Sequence, residues 1–574
     1  MKILDFYPAN CKNCYKCVRN CPVKAVKIVN DQAEIMEEKC IACGKCFLVC
    51  PQNARNIHSD LADVRSALKH RKVVVSIAPS YAGIYSEPER LVGALYGIGF
   101  ESVEETAVAA EMVTDLYNRI IETSGCKNYI TSCCPSVNMM IRKFYPELTE
   151  YLMAVDSPMI LHSKMLKKKH GKDSFIVFLG PCISKKCEAA GYQKEGIIDA
   201  VISFEELDML LKDMNIDINN YEPREPETRA GRLGSKYPGE GGILPGIKEA
   251  AFKKGLTPIK VSGASDCMEL FDSLVENEIE GICIEANTCS DGCLGGPAIP
   301  KNTGSIFKKK IRANHMLSQI DIERRFVPLG YDWNSLDPWN RVFGDRRYEQ
   351  PTHTEASISE VLQKMGKINK EDELNCGACG YDTCREKSKA VLEGISHLEM
   401  CIPHMRMKAE RLSNIIFEVS PNILILLDEE MKVVDINPQG EKTFQTTLNL
   451  IKGKDIDMIM TSEDFKHVIN KRENILGKKI NIPNYNLKLK EYLIYIEEHK
   501  LVFGLFSNVT DEERRNDELS ELKFNTLNTV NNVIDRQMRV AQEIAGLLGE
   551  TTAEAKIALL NLKKVVESEE GELK

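Results

Sequence analysis

The chain has 574 residues, long enough for several domains at roughly 150 residues each. Its formal charge of −9 argues against nucleic acid as a main partner. No run of about 18 apolar residues occurs, which excludes a transmembrane helix and leaves no membrane partner expected. Met1-Lys2-Ile3-Leu4-Asp5 has neither the apolar core nor the small-residue cleavage site of a signal peptide, so a cytoplasmic location is expected. Twenty-one cysteines fall mostly in C-x2-C groups, a pattern that reads as metal binding and not as disulfides. Sixteen fall into four-cysteine sets. Of the rest, Cys126, Cys187, Cys267 and Cys283 are expected to be buried small apolar residues, and Cys133 has a separate role described below.

Residues 1–60 carry two complete runs, Cys11-x2-Cys14-x2-Cys17-x3-Cys21-Pro22 and Cys40-x2-Cys43-x2-Cys46-x3-Cys50-Pro51. This is the bacterial two-cluster ferredoxin spacing, in which the fourth cysteine of each run ligates the other 4Fe-4S cluster. Cluster one is expected on Cys11, Cys14, Cys17 and Cys50, and cluster two on Cys40, Cys43, Cys46 and Cys21. The implied role is electron transfer. Zinc is the competing reading, and two complete runs with trailing prolines weigh against it.

Residues 61–350 alternate apolar runs with helix-period stretches such as Glu87 to Tyr96, an α/β pattern. Val73 to Ile77 and Phe175 to Leu179 read as buried parallel strands. Three cysteine loops each follow a strand-like run: Thr131-Ser132-Cys133-Cys134-Pro135, Pro181-Cys182, and Asn287-Thr288-Cys289 through Cys293. Open α/β sheets place ligand sites at strand carboxyl ends. Cys134, Cys182, Cys289 and Cys293 would hold one iron–sulfur cluster. A plain four-cysteine site needs no Cys133 beside Cys134, and no Lys185 or Glu188 after Cys182. These extras imply a second cofactor part with hydrogen-bond and proton partners. A plain 4Fe-4S site, or scattered structural cysteines, is the competing reading.

In order and spacing the three loops resemble the H-cluster signatures of FeFe-hydrogenases, over roughly Val73 to Gly330. The resemblance implies a 4Fe-4S cubane on Cys134, Cys182 and Cys289, with Cys293 bridging to a di-iron subsite that carries CO, cyanide and an azadithiolate. It implies that Lys185 donates a charge-assisted bond to a distal cyanide, and that Ala78-Pro79-Ser80 lies against the di-iron cyanide. Cys133 would pass protons to the bridging amine. H2 and protons would be the substrates, with ferredoxin or another electron carrier, and maturation proteins to build the di-iron subsite. The chain also departs from the family pattern. Met153 stands where a serine of the proton wire is usual, and a thioether has no proton to donate. Leu116 and Tyr117 stand where paired glutamates are usual. The wire therefore reads as broken beyond Cys133, with Glu188 as the start of an alternative route. Gly180, Asn287 and Val137 replace two methionines and a tryptophan of the pocket, exchanges expected to open space and alter redox poise.

Residues 351–405 contain Cys376-x2-Cys379-x4-Cys384-x16-Cys401, which resembles a small 4Fe-4S domain of corrinoid iron–sulfur proteins and some electron-transport subunits. Thr383 to Glu399 is expected to be helical and to bring Cys401 back. A zinc knuckle is the competing reading. Residues 406–512 lack cysteine. A hairpin around Glu429-Glu430-Met431, strands at 478–489, 491–497 and 501–509, and the closing Asn508 to Glu513 resemble a PAS domain. No residue in it would plainly bind haem or attach flavin, so its ligand stays open, as does a purely dimerising or relaying role. Residues 513–574 read as helical. Leu527, Val530, Ile534, Gln537, Ala541, Ile544 and Leu548 form a heptad seam with a polar member, a device that can set register. A packed amphipathic helix competes with that reading. A second helix is expected from Thr551 to Val566.

The expected fold is thus multidomain α/β: a two-cluster ferredoxin, an α/β H-cluster domain, a small 4Fe-4S domain, an α+β PAS domain and a helical coil. Three functions compete. One is a slow FeFe-hydrogenase that senses hydrogen and signals, as a homodimer, to a phosphatase or kinase. The others are a bulk ferredoxin-coupled hydrogenase, and an iron–sulfur scaffold without the di-iron subsite, like the hydrogenase-like assembly proteins.

Overall fold

The short runs of alternating apolar residues at the N-terminus form small antiparallel pairs. Strands β1 (Leu4–Phe6), β2 (Val26–Val29), β3 (Gln32–Ile35) and β4 (Arg55–Ile57) pair β1 with β4 and β2 with β3. Each cysteine run turns through a left-handed residue, Tyr15 (φ 59°) or Gly44 (φ 71°), into a short helix, Lys16–Asn20 or Lys45–Leu48. Cys17 and Cys46 ride on these helices. A Cβ on Gly44 would lie 2.6 Å from the Cβ of Pro297. Glycine therefore lets the second turn close on the segment that carries Cys289 and Cys293. The computed structural model that gives this account describes residues 3–321, 341–548 and 552–568.

The β-branched runs that follow make parallel strands: β5 (Val73–Ile77), β6 (Ser102–Glu105), β7 (Tyr129–Ile130), β8 (Phe175–Gly180), β9 (Ala200–Ser203), β10 (Thr257–Ser262) and β11 (Ile282–Asn287). They form two sheets, ordered β6-β5-β8-β9 and β10-β11-β7. In the first, Val75 lies opposite Val103 on one side and Val177 on the other. All five residues of β5 are buried, as a strand covered on both faces requires. In the second sheet, β10 is the partly exposed edge, and Cys283 and Ile284 of β11 lie opposite Tyr129 and Ile130. Local chemistry sets the helix starts. Pro88 opens Pro88–Gly97. Ser203 and Glu206 form a capping box at Phe204–Asp213, with the Ser203 Oγ accepting from the Glu206 N–H and the Glu206 carboxylate accepting from the Ser203 N–H. A short strand, β12 (Ser290–Cys293), ends on the last cysteine of the third loop.

In residues 351–404 the helix is shorter than expected. It runs Cys384–Leu392, and the chain then turns at Gly394 (φ 68°) before a single turn, Leu398–Met400, delivers Cys401. Glycine in the left-handed region ends a helix at little steric cost, and the remaining residues to Cys401 cannot stay helical past it. This segment docks on the N-terminal strands. The Ile28 N–H donates to the Ile395 carbonyl at 3.4 Å, and Lys39 pairs with Glu393 at 3.2 Å.

Residues Met1–His404 and Met405–Lys574 form two compact units. In the second, β13 (Ile423–Asp428), β14 (Val433–Ile436), β15 (Ile475–Ile482), β16 (Leu487–Ile496) and β17 (Leu501–Asn508) form an antiparallel sheet ordered β14-β13-β17-β16-β15. The expected strand at 478–489 is split by a turn at Pro483–Tyr485 and a left-handed Asn486. A proline removes a ladder donor, so the run breaks there. Phe465, Phe506, Leu489 and Leu493 fill the core between sheet and helices. A 39-residue helix, Thr510–Leu548, follows, and then Thr552–Ser568. Leu527, Val530, Ile534 and Ala541 of the seam are half-buried, while Gln537 and Ile544 are exposed. No helix among the described residues is long and apolar enough to cross a membrane.

Candidate metal centres

The carboxyl ends of β5, β7, β8 and β11 open into one cavity, although they belong to two sheets. Cys134, Cys182, Cys289 and Cys293 all line it, together with Cys133, Lys185, Ala78, Pro79, Ser80 and Asn287. Thus the three loops singled out by spacing meet at one place. Three expected residues, Gly180, Glu188 and Val137, stand outside it. Gly180 does not reach the cavity wall. The ring of Phe178 folds over it, 2.7 Å from where a Cβ would sit, and lines the cavity itself. The space expected from losing a methionine side chain is therefore filled from two residues upstream. Glu188 is buried behind Lys185. Its carboxylate accepts from Lys185 Nζ at 2.7 Å, from Ser157 Oγ at 2.9 Å and from Arg341. Burial alone would raise its pKa, but Lys185 and Arg341 overcome that and lower it. Glu188 is thus held as an anion that fixes the Lys185 ammonium. Val137 is fully buried in the core on the side of the N-terminal domain.

Desolvation opposes ionisation of the cavity thiols. It pushes Cys289 well above its ordinary value, raises Cys182, and pushes Cys293 up to about 12, with neighbouring cysteines adding to the effect. Cys293 is open to the cavity and crowded by protein elsewhere. Thiols buried this closely together become thiolates only against bound cations. They also surround a space instead of converging on a point. Among the described residues, no three Cys, His, Asp or Glu side chains lie close enough to hold a single metal ion. A polynuclear cluster fits this donor set, and a lone zinc does not.

Smaller cavities repeat the pattern. One is lined by Cys11, Cys14, Cys17 and Cys50, and another by Cys376, Cys379, Cys384 and Cys401. Burial first, and then Cys43, Cys21, Cys40 and Cys17, push Cys46 well above its ordinary value, so these thiols lie close together. Cys43 also lines the large cavity. The leftover cysteines divide. Cys267 and Cys283 are buried as expected, Cys187 is half-buried, and Cys126 is exposed, because it lies in the loop between Ala107–Thr123 and β7.

The surroundings of Cys133 hold a residue that sequence reasoning counted only as a loss. Tyr117 Oη lies 3.2 Å from Cys133 Sγ and 3.1 Å from Ser132 Oγ, and accepts from the Ser132 N–H at 2.9 Å. Ser132 Oγ in turn donates to the Val155 carbonyl at 3.1 Å. Tyr117, Ser132, Leu116 and Met153 are all buried. Burial, and then Cys133, pushes the Tyr117 phenol well above its ordinary range. Burial likewise pushes Cys133 up to about 12. Nothing in a local pattern announces this contact, since Cys133 lies in a loop and Tyr117 approaches from the helix Ala107–Thr123.

Beneath the Ala78 loop, Ser76 Oγ bonds to Thr106 Oγ1 at 2.6 Å and to His162 Nδ1 at 2.7 Å. Burial pushes His162 from its ordinary 6.5 down to about 4. Below pH 6.5 the unfolded chain therefore takes up a proton that the folded chain refuses until about pH 4. Stability should be full above 6.5 and fall as pH drops from 6.5 to 4, by about 3 kcal/mol from this group. Thermal melts at pH 7.5 and 4.5 should show this loss, and His162→Gln should shrink it.

Comparison with known proteins places these cavities in context. Residues 71–297 match the C-terminal domain of the iron-only hydrogenase large subunit. Residues 4–51 match a 4Fe-4S dicluster domain, and residues 372–403 an Fe-S cluster family. Iron hydrogenase 1 of Clostridium pasteurianum is 28% identical over 325 residues, covering 45% of this chain and 56% of that protein. The periplasmic Fe hydrogenase large subunit of Nitratidesulfovibrio vulgaris is 25% identical over 265 residues, covering 38% of this chain and 63% of that protein. The chain thus spans less than two thirds of the length of these relatives. Among solved structures, an apo FeFe-hydrogenase HydA1 from Chlamydomonas reinhardtii aligns with TM-score 0.38 and 17% identity, over 47% of this chain and 90% of that one. A PAS domain of an HTR-like protein from Haloarcula marismortui aligns with TM-score 0.15 and 13% identity, over 18% of this chain and 93% of that one.

Proposed function

We propose that this chain, in which residues 71–297 form the hydrogenase domain matched above, turns hydrogen over slowly and reports it through its C-terminal unit. In this reading Cys134, Cys182, Cys289 and Cys293 would hold the cubane together with its di-iron partner. When bound, that group supplies the cleavage of hydrogen into protons and electrons. The protein's own part is positioning and proton handling. The Glu188–Arg341 pair holds Lys185 at the cavity wall, where its ammonium suits an anionic ligand such as cyanide. The same arrangement speaks against a bare scaffold, which has no use for an oriented ammonium beside its cluster.

The observation that carries the slow-turnover reading is the closure around Cys133. A relay needs a donor and an acceptor at every step, within about 2.6–3.2 Å or through one water. Here the thiol meets Tyr117, Tyr117 meets Ser132, and Ser132 ends on the Val155 backbone carbonyl, which accepts a hydrogen bond and passes no proton on. Met153 and Leu116 add no hydroxyl or carboxyl to extend it. Glu188, held anionic by two cations, serves as a counter-ion and not as a second exit. Cys133 thus gives the site a first proton station with a poor way out.

The sensory half of the reading draws on the second unit. Its five-stranded antiparallel sheet with flanking helices suits a PAS-type module, and the long helix after it, with Gln537 in its seam, suits a two-state relay in a homodimer. A phosphatase or kinase bound by residues 513–574 would be the recipient. Infrared spectra of the matured protein under hydrogen test the reading. CO and cyanide bands that shift with hydrogen, together with slow turnover, are expected. Bands absent after maturation would favour the scaffold, and fast turnover the bulk hydrogenase.

A further inference from the structure

We infer that cluster two is a three-way junction, joined through Tyr381 to the cluster of residues 376–401, and that Lys367 and Lys387 make this third cluster the preferred electron sink. The inference relies on the reading above only for hydrogen as a source of electrons.

In sequence the small domain follows the hydrogenase domain, but in space it sits on the ferredoxin strands. The Ile28 carbonyl is 3.0 Å from His397 Nε2. Gly380 packs so closely that a Cβ would lie 2.6 Å from the Cα of Arg19. Tyr381, two residues after Cys379, is 4% exposed and belongs to the same apolar core as Cys21. Lys24 of the ferredoxin domain lies 5.7 Å from its ring and Lys387 of the small domain 5.3 Å. Cys21, Arg19 and Lys24 line one cavity with Asp382, the residue after Tyr381. Cys21 belongs with Cys40, Cys43 and Cys46, so the contact is to cluster two. The other two arms are also visible. Cys43 lines the large cavity with Cys289, and the short helices that carry Cys17 of cluster one and Cys46 of cluster two pack against each other.

Direction comes from charge. A 4Fe-4S cluster gains one negative charge on reduction, so a fixed cation nearby favours the reduced form, and more strongly where water is excluded. Lys367 and Lys387 both line the third cavity, and no Asp or Glu does. They are 6% and 1% exposed, with Nζ bonded to the Asp372 carbonyl at 2.7 Å and to Ser396 Oγ. Cluster two has two buried lysine neighbours, but Lys39 is paired with Glu393 at 3.2 Å, which leaves Lys143, whose Nζ donates to the Cys40 carbonyl at 2.7 Å. Lys12 and Lys16, at the cavity of cluster one, are exposed and therefore screened. The step is a one-electron transfer. Cluster two returns to its oxidised state, the third cluster is reduced, and no bond or proton changes.

Redox titration of the reconstituted full chain, followed by EPR with dithionite and mediators, tests this without hydrogen turnover. The third cluster should be reduced at a higher potential than clusters one and two. Lys387→Met should lower its reduced-to-oxidised ratio at a fixed potential by about tenfold, with the other clusters unmoved, and Lys387→Arg should restore it. Dipolar EPR on the unmutated protein should show the third cluster coupled more strongly to cluster two than to cluster one. Stronger coupling to cluster one, or a third cluster reduced last, would overturn the inference. Hydrogen that reduces no cluster while dithionite gives the expected order would sink the hydrogenase reading and uphold the junction.

Discussion

Cys293→Ala is expected to abolish hydrogen oxidation and the infrared bands of the di-iron unit, while both ferredoxin clusters and the small-domain cluster stay in place. Cys293 ends β12, and its sulfur faces the same cavity as Cys134, Cys182, Cys289 and Lys185. Of the ferredoxin cysteines, Cys43 alone lines this cavity among the described residues. Sixteen ligand cysteines imply four cubanes, and the bridged unit brings the total to about 18 Fe, a count the variant should reduce by about two. Hydrogen oxidation that survived this change would show that Cys293 does not hold the reacting unit.

The second large effect is expected at Cys133. Replacing it by alanine removes the one thiol at the cavity wall that is assigned no metal, and with it the proposed first proton station. A positioned proton donor contributes about 10²–10⁴-fold, so turnover should fall by that order. Tyr117→Phe should leave the rate nearly unchanged, because the hydroxyl leads only to Ser132 and then to the Val155 carbonyl. Steady-state rates of the two variants, with infrared bands confirming equal loading, separate the cases. A large loss in Tyr117→Phe would mean that the tyrosine is itself a route out.

Much of this site was legible because its chemistry repeats in short spans. The ferredoxin runs, the three loops and the Cys376–Cys401 spacing each mark candidate ligands within a few residues, and three cavities gather the cysteines of the loops, of cluster one and of the small domain. The β-branched runs marked β5 and β8 because a strand buried on both faces has little choice of composition. What escaped depended on distance. Phe178 fills the space at Gly180, Tyr117 meets Cys133, and Arg341 reaches Glu188 from more than 150 residues away. Such contacts follow from how sheets and helices pack, which no local period encodes. The docking of the small domain on the ferredoxin strands is of the same kind, since chain order suggested only that it flanks the hydrogenase domain. The helix ending at Leu392 was a local misreading, in which Gly394 outweighed the helical pattern around it.

The central claim, that the protein reports hydrogen instead of consuming it in bulk, is tested most directly by amide hydrogen exchange across residues 406–574 of the matured protein, under hydrogen and under oxidant. The account predicts that protection along Thr510–Leu548 differs between the two states, as a relay with two arrangements requires. Identical protection in both states, in a protein that turns hydrogen over rapidly, would contradict it.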